Sequence, residues 1–366
     1  MSVAPIVVSC IVLLTYKRGD PPASSTFLQV GSMKVRVLVG LMSAVLTPVI
    51  LTACHSTDST GPLSTLVWSS VSSGTTQNLK SIWGTSASDI WAVGTNGTIL
   101  HYNGTNWSSV LSGTTVHLLG IWGSSATDVW AVGGDWTILH YNGTSWSGVS
   151  GTPVSGGPSL ASVWGSSASN VWAVYTRYTP GFNASPSGGL LHYDGTSWSG
   201  VSSPGPLGSI YGISPSDVWA VGTVTSNGNQ SFGTALHFNG TSWSNISSDP
   251  NTLFGVWAAS PTEVWAVGTD YNNGTILHYN GSSWSDPELI ATTYALSSVW
   301  GTSYSDAWTV GSKARTAAIL HYNGLIWSDV SIERNGALYG VWGSSASDVW
   351  AVGDGGMILH GSPPPL

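Results

Sequence analysis

Charged side chains are scarce in this sequence: Asp, Glu, Lys and Arg make up only 7% of its 366 residues. Surface helices need Glu, Lys and Arg on their solvent side, so a mainly helical fold is not expected. Ser, Thr, Asn and Gly must cover the surface instead, and they suit short strands and tight turns. Positive charge is rarest, with 9 Lys and Arg against 17 Asp and Glu. Without a basic stripe there is nothing to displace counterions, and no nucleic-acid partner is expected. The two cysteines, Cys10 and Cys54, are too few for a disulfide framework. Glycine (46) and tryptophan (21) are in excess instead, far above ordinary usage.

The N-terminus reads as an export signal. In "MKVRVLVGLMSAVLTPVILTAC" (33–54), Lys34 and Arg36 give a positive start and Val37 to Leu51 an apolar core. Leu51-Thr52-Ala53-Cys54 then fits a bacterial lipobox. The core falls short of the roughly 20 residues of a membrane span. Residues 33–53 are therefore expected to be a lipoprotein signal peptide, with Cys54 lipidated and 54–65 forming anchor and flexible tether. In residues 1–32 the charges Lys17 and Arg18 follow the run "VAPIVVSCIVLL" instead of preceding it. That segment reads either as a start codon placed too early, with Met33 the true start, or as a real upstream anchor. Removing Asp20, Lys17, Arg18, Lys34 and Arg36 leaves 16 acidic and 5 basic side chains. The expected location is the bacterial cell envelope, at the outer membrane or cell surface, with the lipid as the only membrane contact.

The phrase "VWGSSASDVWAVG" (341–353) recurs, with variations, seven times. Its acidic position falls at Asp89, Asp128, Asn170 (an amide), Asp217, Glu263, Asp306 and Asp348, in steps of 39, 42, 47, 46, 43 and 42 residues. A period in the low forties with four strand signals per unit marks propeller blades. In the first unit, "LKSIWG" (79–84), "DIWAVG" (89–94), "TILHYN" (98–103) and "TNWSSV" (105–110) are strands a to d. Sheets covered on both faces need large flat side chains, and 20 of the 21 tryptophans fall in strands a, b or d; Trp136 is the exception. The seventh unit ends at "SPPPL" without a strand d, while "LVWSSV" (66–71) is an orphan strand d at the other end. The prediction is an all-β, seven-bladed β-propeller over 66–361, with four antiparallel strands per blade and a tail at 362–366. Its N-terminal strand closes the last blade, which removes open edges.

"SSASDVWAVG…ILHYNGTSWS" resembles the tryptophan-rich propeller repeats of exported bacterial proteins, many of them lipoproteins. The likeness covers residues 66–360. It is looser to WD-repeat and tachylectin-like propellers: a WD repeat ends on Trp-Asp, and the outer strand here on Trp-Ser.

Seven histidines recur at one position: His101, His140, His192, His237, His278, His321 and His360. One per blade spreads them too widely for a shared metal, so a structural role is expected, with no metal and no cofactor. The resemblance to WD blades implies that each imidazole bonds the acid before strand b. Those acids, always following Ser or Thr, fit turn capping better than catalysis. No nucleophile elbow, phosphate loop, HExxH or EF-hand loop appears. No catalytic residue is assigned, and an enzyme is not expected.

The a–b and c–d turns barely change. The b–c and d–a connections, on the opposite face, vary in length and chemistry. The b–c segment is "TNG" in unit one, "YTRYTPGFNASPSG" (175–188) in unit three and "TVTSNGNQSFG" (223–233) in unit four. The d–a connections "VSGTPVSGGPSLA" (149–161) and "DPELIATTYALS" (286–297) also differ. Departures from a rigid repeat are where function is placed, so the candidate ligand-binding residues are Trp136, Asp135, Arg177, Tyr178, Phe182, Asp270, Tyr271, Lys313 and Arg315. Trp136 reads either as an exposed stacking platform for a sugar or protein partner, or as a rim aromatic covering a neighbouring loop. The expected function is a monomeric binding or scaffold protein recognising protein or glycan through this face. The alternative is a lectin-like binder with repeated sugar sites between blades; an enzyme at the channel mouth ranks third.

Overall fold

The computed structural model describes residues 66–365 apart from 150–156, 178–186, 204, 226–230, 247–250, 271–272, 286–287 and 293, plus two short strands near the N-terminus. Cys54, the signal-peptide core, Tyr178, Phe182 and Tyr271 lie outside the described residues. The chain divides into units at Met1–Thr60 and Gly61–Leu366. In the first, Phe27–Val30 pairs antiparallel with Met33–Arg36, so the residues expected to begin a signal peptide form a strand here.

The second unit is a seven-bladed β-propeller of four-stranded antiparallel sheets. Blade 1 comprises strands a (Leu79–Ser86), b (Asp89–Gly94), c (Ile99–Tyr102) and d (Trp107–Val110). The other inner strands are Leu118–Ser125, Ser159–Ser167, Leu207–Ser214, Thr252–Ser260, Tyr294–Ser303 and Leu338–Ser345. Each touches the next, and the last returns to the first. Val67–Val71 pairs with Ile358–Ser362, so the N-terminal strand is strand d of blade 7.

Tryptophan builds the seams. The strand b Trp91 stacks on its own His101 (4.1 Å between centroids) and meets Tyr141 (5.0 Å) and Trp146 (5.6 Å) of blade 2. Trp350 of blade 7 meets Tyr102 and Trp107 of blade 1 in the same way, and Trp308 of blade 6 meets Trp68 of the closing strand. Edge-to-face rings at these distances add to simple area burial. The inner-strand tryptophans need glycine opposite them: a Cβ on Gly123 would lie 2.6 Å from Trp83, and one on Gly84 would lie 2.8 Å from Trp342. One junction differs on both sides. Blade 4 carries the smaller Tyr211, and blade 5 carries Ala258 where the others have glycine; Tyr211 packs against the cluster containing Ala258.

Two expectations are corrected. Where they are described, the long b–c segments are hairpin extensions: Tyr175–Arg177 pairs with Ser187–Gly189 in blade 3, and Thr223–Thr225 with Ser231–Gly233 in blade 4. "DPELIATTYALS" is not a free connection. Glu288–Thr292 is the outer strand of blade 5, and Tyr294 opens the inner strand of blade 6. Strand c of blade 5 starts early, at Asn273, and its exposed backbone groups take Glu288–Thr292 as partner. The strand expected around Trp284 is reduced to one bridge with Tyr279.

Candidate functional site

Every inner strand carries a β-bulge at its second repeat position. In blade 1 Leu79 pairs with Gly94 and Ser81 with Val93, leaving Lys80 outside the ladder. The same shift leaves out Leu119, Ala161, Gly208, Phe254, Ser297 and Tyr339 in the other blades. A bulge re-aims the extra residue. These seven ring the axis at its b–c and d–a end and, with the one or two residues after each, line a cavity of about 150 Å³. Their neighbours barely vary: a buried leucine precedes each one, and Ser or Gly follows. The bulge residue itself is a different type in every blade.

The ring is asymmetric. Lys80 Nζ lies 3.4 Å from the ring centroid of Tyr339, and no ion pair of Lys80 is found among the described residues. The Tyr339 hydroxyl donates to Asp354 Oδ1 at 2.9 Å, and the Ala337 N–H donates to Asp354 Oδ2 at 2.9 Å. Burial and its bond to Asp354 push the Tyr339 hydroxyl up to about 12, so it remains a donor. Burial lowers the pKa of Lys80, opposed by the charge of Asp354. In blade 5, Phe254 is 43% exposed. Between these groups Ala161 and Gly208 leave the wall low.

Charge is segregated between the faces. The propeller's only cations are Lys80, Arg177, Lys313, Arg315 and Arg334, and all belong to the b–c and d–a face. The opposite face carries Asp89, Asp128, Asp194, Asp217, Glu263, Asp306 and Asp348 with no Lys or Arg.

The residues singled out from sequence sit on the outer rim, on separate blades. Asp135 and Trp136 form the two-residue b–c turn of blade 2, with φ of 47° and 58°. Blades 1 and 7 use Asn96-Gly97 and Gly355-Gly356 in that place. Trp136 is half-buried, with its ring 5.0 Å from Tyr175 of blade 3 and its Nε1 enclosed without an acceptor among the described residues. That is the rim geometry of the two readings. Arg177 and Asp270 end strand b of blades 3 and 5. Lys313 pairs with Asp329 at 2.9 Å, and the Tyr294 hydroxyl donates to the same carboxylate. Hydrogen bonding to Tyr294 and then to Asp329, with the Asp329 charge, raises Lys313 above its ordinary pKa. Burial pushes Asp329 up, but hydrogen bonds from Ser331, Tyr294 and Lys313 bring it well below the carboxylate range. Arg315 sits at a turn tip beside Ala314, both with positive φ. The bulge ring was missed in the sequence, although its signal is there: the middle letter of "LKS", "LLG", "LAS", "LGS", "LFG", "LSS" and "LYG".

On the opposite face each imidazole is bonded within its own blade. His101 Nε2 lies 2.7 Å from Asp89 Oδ1, and the arrangement repeats at His140–Asp128, His237–Asp217, His278–Glu263, His321–Asp306 and His360–Asp348. In blade 3 His192 meets the Asn170 amide at 2.8 Å. The acids do not cap the turns as expected. Ser86 Oγ caps the Ser88 N–H, Asn103 Oδ1 caps those of Thr105 and Asn106, and Asp89 instead reaches sideways to His101 and Thr85.

By sequence the chain matches no protein-family model, and no curated protein is recognisably similar to it. Several solved structures share its fold. YCF48 bound to a D1 peptide is 15% identical, with a TM-score of 0.61 over 81% of this chain and 97% of that one. A streptogramin B lyase is 14% identical, with a TM-score of 0.63 over 82% and 98%. The WD40 β-propeller domain of Doa1 is 11% identical, with a TM-score of 0.59 over 82% and 97%. The fold is therefore one used by binding proteins and by enzymes alike, and the likeness carries the fold alone.

Proposed function

We propose that this protein is an exported, lipid-anchored propeller that binds acidic peptide segments of a partner protein at the axial mouth of its variable face. The bulge ring carries the reading. A position that changes in every blade, between a buried leucine and a close-packed Ser or Gly, is not set by packing and is free to meet a ligand. Lys80 offers a cation to a carboxylate, in a charge-assisted bond that suits a partly desolvated ammonium. Phe254 and Leu119 offer apolar surface, and the low wall at Ala161 and Gly208 admits a side chain. That a propeller of this fold, YCF48, is seen with a peptide bound supports the choice of ligand class. The lipobox at Cys54 supports the anchor. The alternative of repeated sugar sites is less supported, because the recurrent His and acid groups already bond one another.

The test is a display library of linear peptides selected on the wild type and on Lys80→Ser/Phe254→Ser. Serine is the residue of blade 6 at this position, so the fold is retained. Enriched peptides should pair a carboxylate with an apolar residue and lose binding to the double variant. Equal binding to both proteins, or binding confined to a glycan array, would overturn the proposal.

A further inference from the structure

The repeat face breaks its own pattern in one blade. Blade 6 has "TSYSD" at its a–b turn where blade 1 has "TSASD", and "NGLIW" at its c–d turn where blade 1 has "NGTNW". The two turns are adjacent: a Cβ on Gly324 would lie 3.0 Å from the Ser305 Cβ. They leave Tyr304, Leu325 and Ile326 exposed at 58%, 84% and 61%. The exposed Val67 stands on the neighbouring blade, flanked by Leu66 and Trp68, which pack in one cluster with Trp308 of blade 6. The fold does not require these apolar tips, since blade 1 keeps Ala87, Thr105 and Asn106 there.

The chain joins the propeller at the same corner. Val67 lies opposite Ser362, at the strand ends that carry the a–b and c–d turns. Residues 55–65 separate Cys54 from Leu66, a reach of at most about 40 Å. The acyl group proposed on Cys54 would hold this corner close to a bilayer. We infer that Tyr304, Leu325 and Ile326 form a membrane-surface contact with zwitterionic phospholipid and turn the variable face outward. Tyrosine suits the headgroup level. A second, apolar contact strengthens attachment beside an acyl chain. Carboxylates without Lys or Arg on this face disfavour anionic lipid. The inference rests on acylation of Cys54 and is independent of the peptide site.

The test uses the processed, full chain in phosphatidylcholine vesicles containing a lipid-borne quencher. A fluorophore is placed at Leu325→Cys or, as a control on the variable face, at Leu111→Cys. Quenching should be several-fold stronger at 325, and restoring the blade pattern with Tyr304→Ala/Ile326→Asn should reduce it. Equal quenching at both sites, or no effect of the restored pattern, would overturn the contact. Mass spectrometry of the same preparation separates the causes: acylated protein giving either result overturns the contact alone, and unacylated protein overturns the anchor with it.

Discussion

The Lys80 ammonium stands 3.4 Å over the ring of Tyr339, bridging blade 1 and blade 7 at the mouth of the axial channel. Burial lowers the pKa of Lys80. For a base, a lowered folded-state pKa means that the charge disfavours the fold in full below that value, and less as pH rises from it to the unfolded one. Lys80→Met removes that penalty along with a cation–π contact worth about 0.5–1 kcal/mol, and the two changes have opposite signs. Urea melts should show stability altered by less than about 1 kcal/mol, while acidic peptides lose binding.

The Tyr211–Ala258 junction should behave as a coupled pair. Tyr211→Trp drives an indole against the Ala258 methyl and should cost about 1–3 kcal/mol, as overpacking does. Adding Ala258→Gly restores the arrangement of the other junctions and should recover most of that loss. A double-mutant cycle by chemical denaturation measures the coupling, and strict additivity would contradict the packing argument.

Asp348 tests the histidine–acid pairs. Burial pushes its carboxyl up, but bonds from His360 and Ser344, the His360 charge and the Trp350 N–H hold it below the ordinary value. A depressed folded-state pKa stabilises above the unfolded value of about 4 and stops doing so as pH falls through the folded one. Asp348→Asn, the amide that blade 3 uses at Asn170, should cost about 1 kcal/mol at pH 7. That deficit should fade as pH drops below about 4. Thermal melts of both proteins against pH read it directly.

Trp136 holds a positive φ where blades 1 and 7 place Gly97 and Gly356. Trp136→Ala loses the Tyr175 contact and keeps the backbone strain; Trp136→Gly loses the contact and relieves the strain. The glycine variant should be more stable than the alanine variant by about 1 kcal/mol. Denaturant midpoints of the two variants decide the order.

These cases also show what the sequence could and could not reveal. The closing strand was legible because "LVWSSVSSGTTQNL" nearly repeats "NWSSVLSGTTVHL". The histidine positions were legible too, and their bond to the acid before strand b is the one that the WD resemblance implies; only the turn capping expected of those acids falls to other side chains. The bulge ring was not legible. Strand alternation assigns Lys80 to one face or the other, and an inserted residue breaks that alternation; only the pairing of Leu79 with Gly94 and Ser81 with Val93 turns Lys80 to the axis. Glu288–Thr292 was hidden for a similar reason. Trp284 gave the strand signal early, Pro287 interrupted it, and the strand is fixed by partners on strand c rather than by its own pattern.

A crystal structure of the propeller with a selected acidic peptide tests the central claim most directly. The peptide should lie across the axial mouth, with a carboxylate about 3 Å from Lys80 Nζ and an apolar side chain against Phe254. A peptide bound on the histidine face, or on the outer rim away from both residues, would contradict the account.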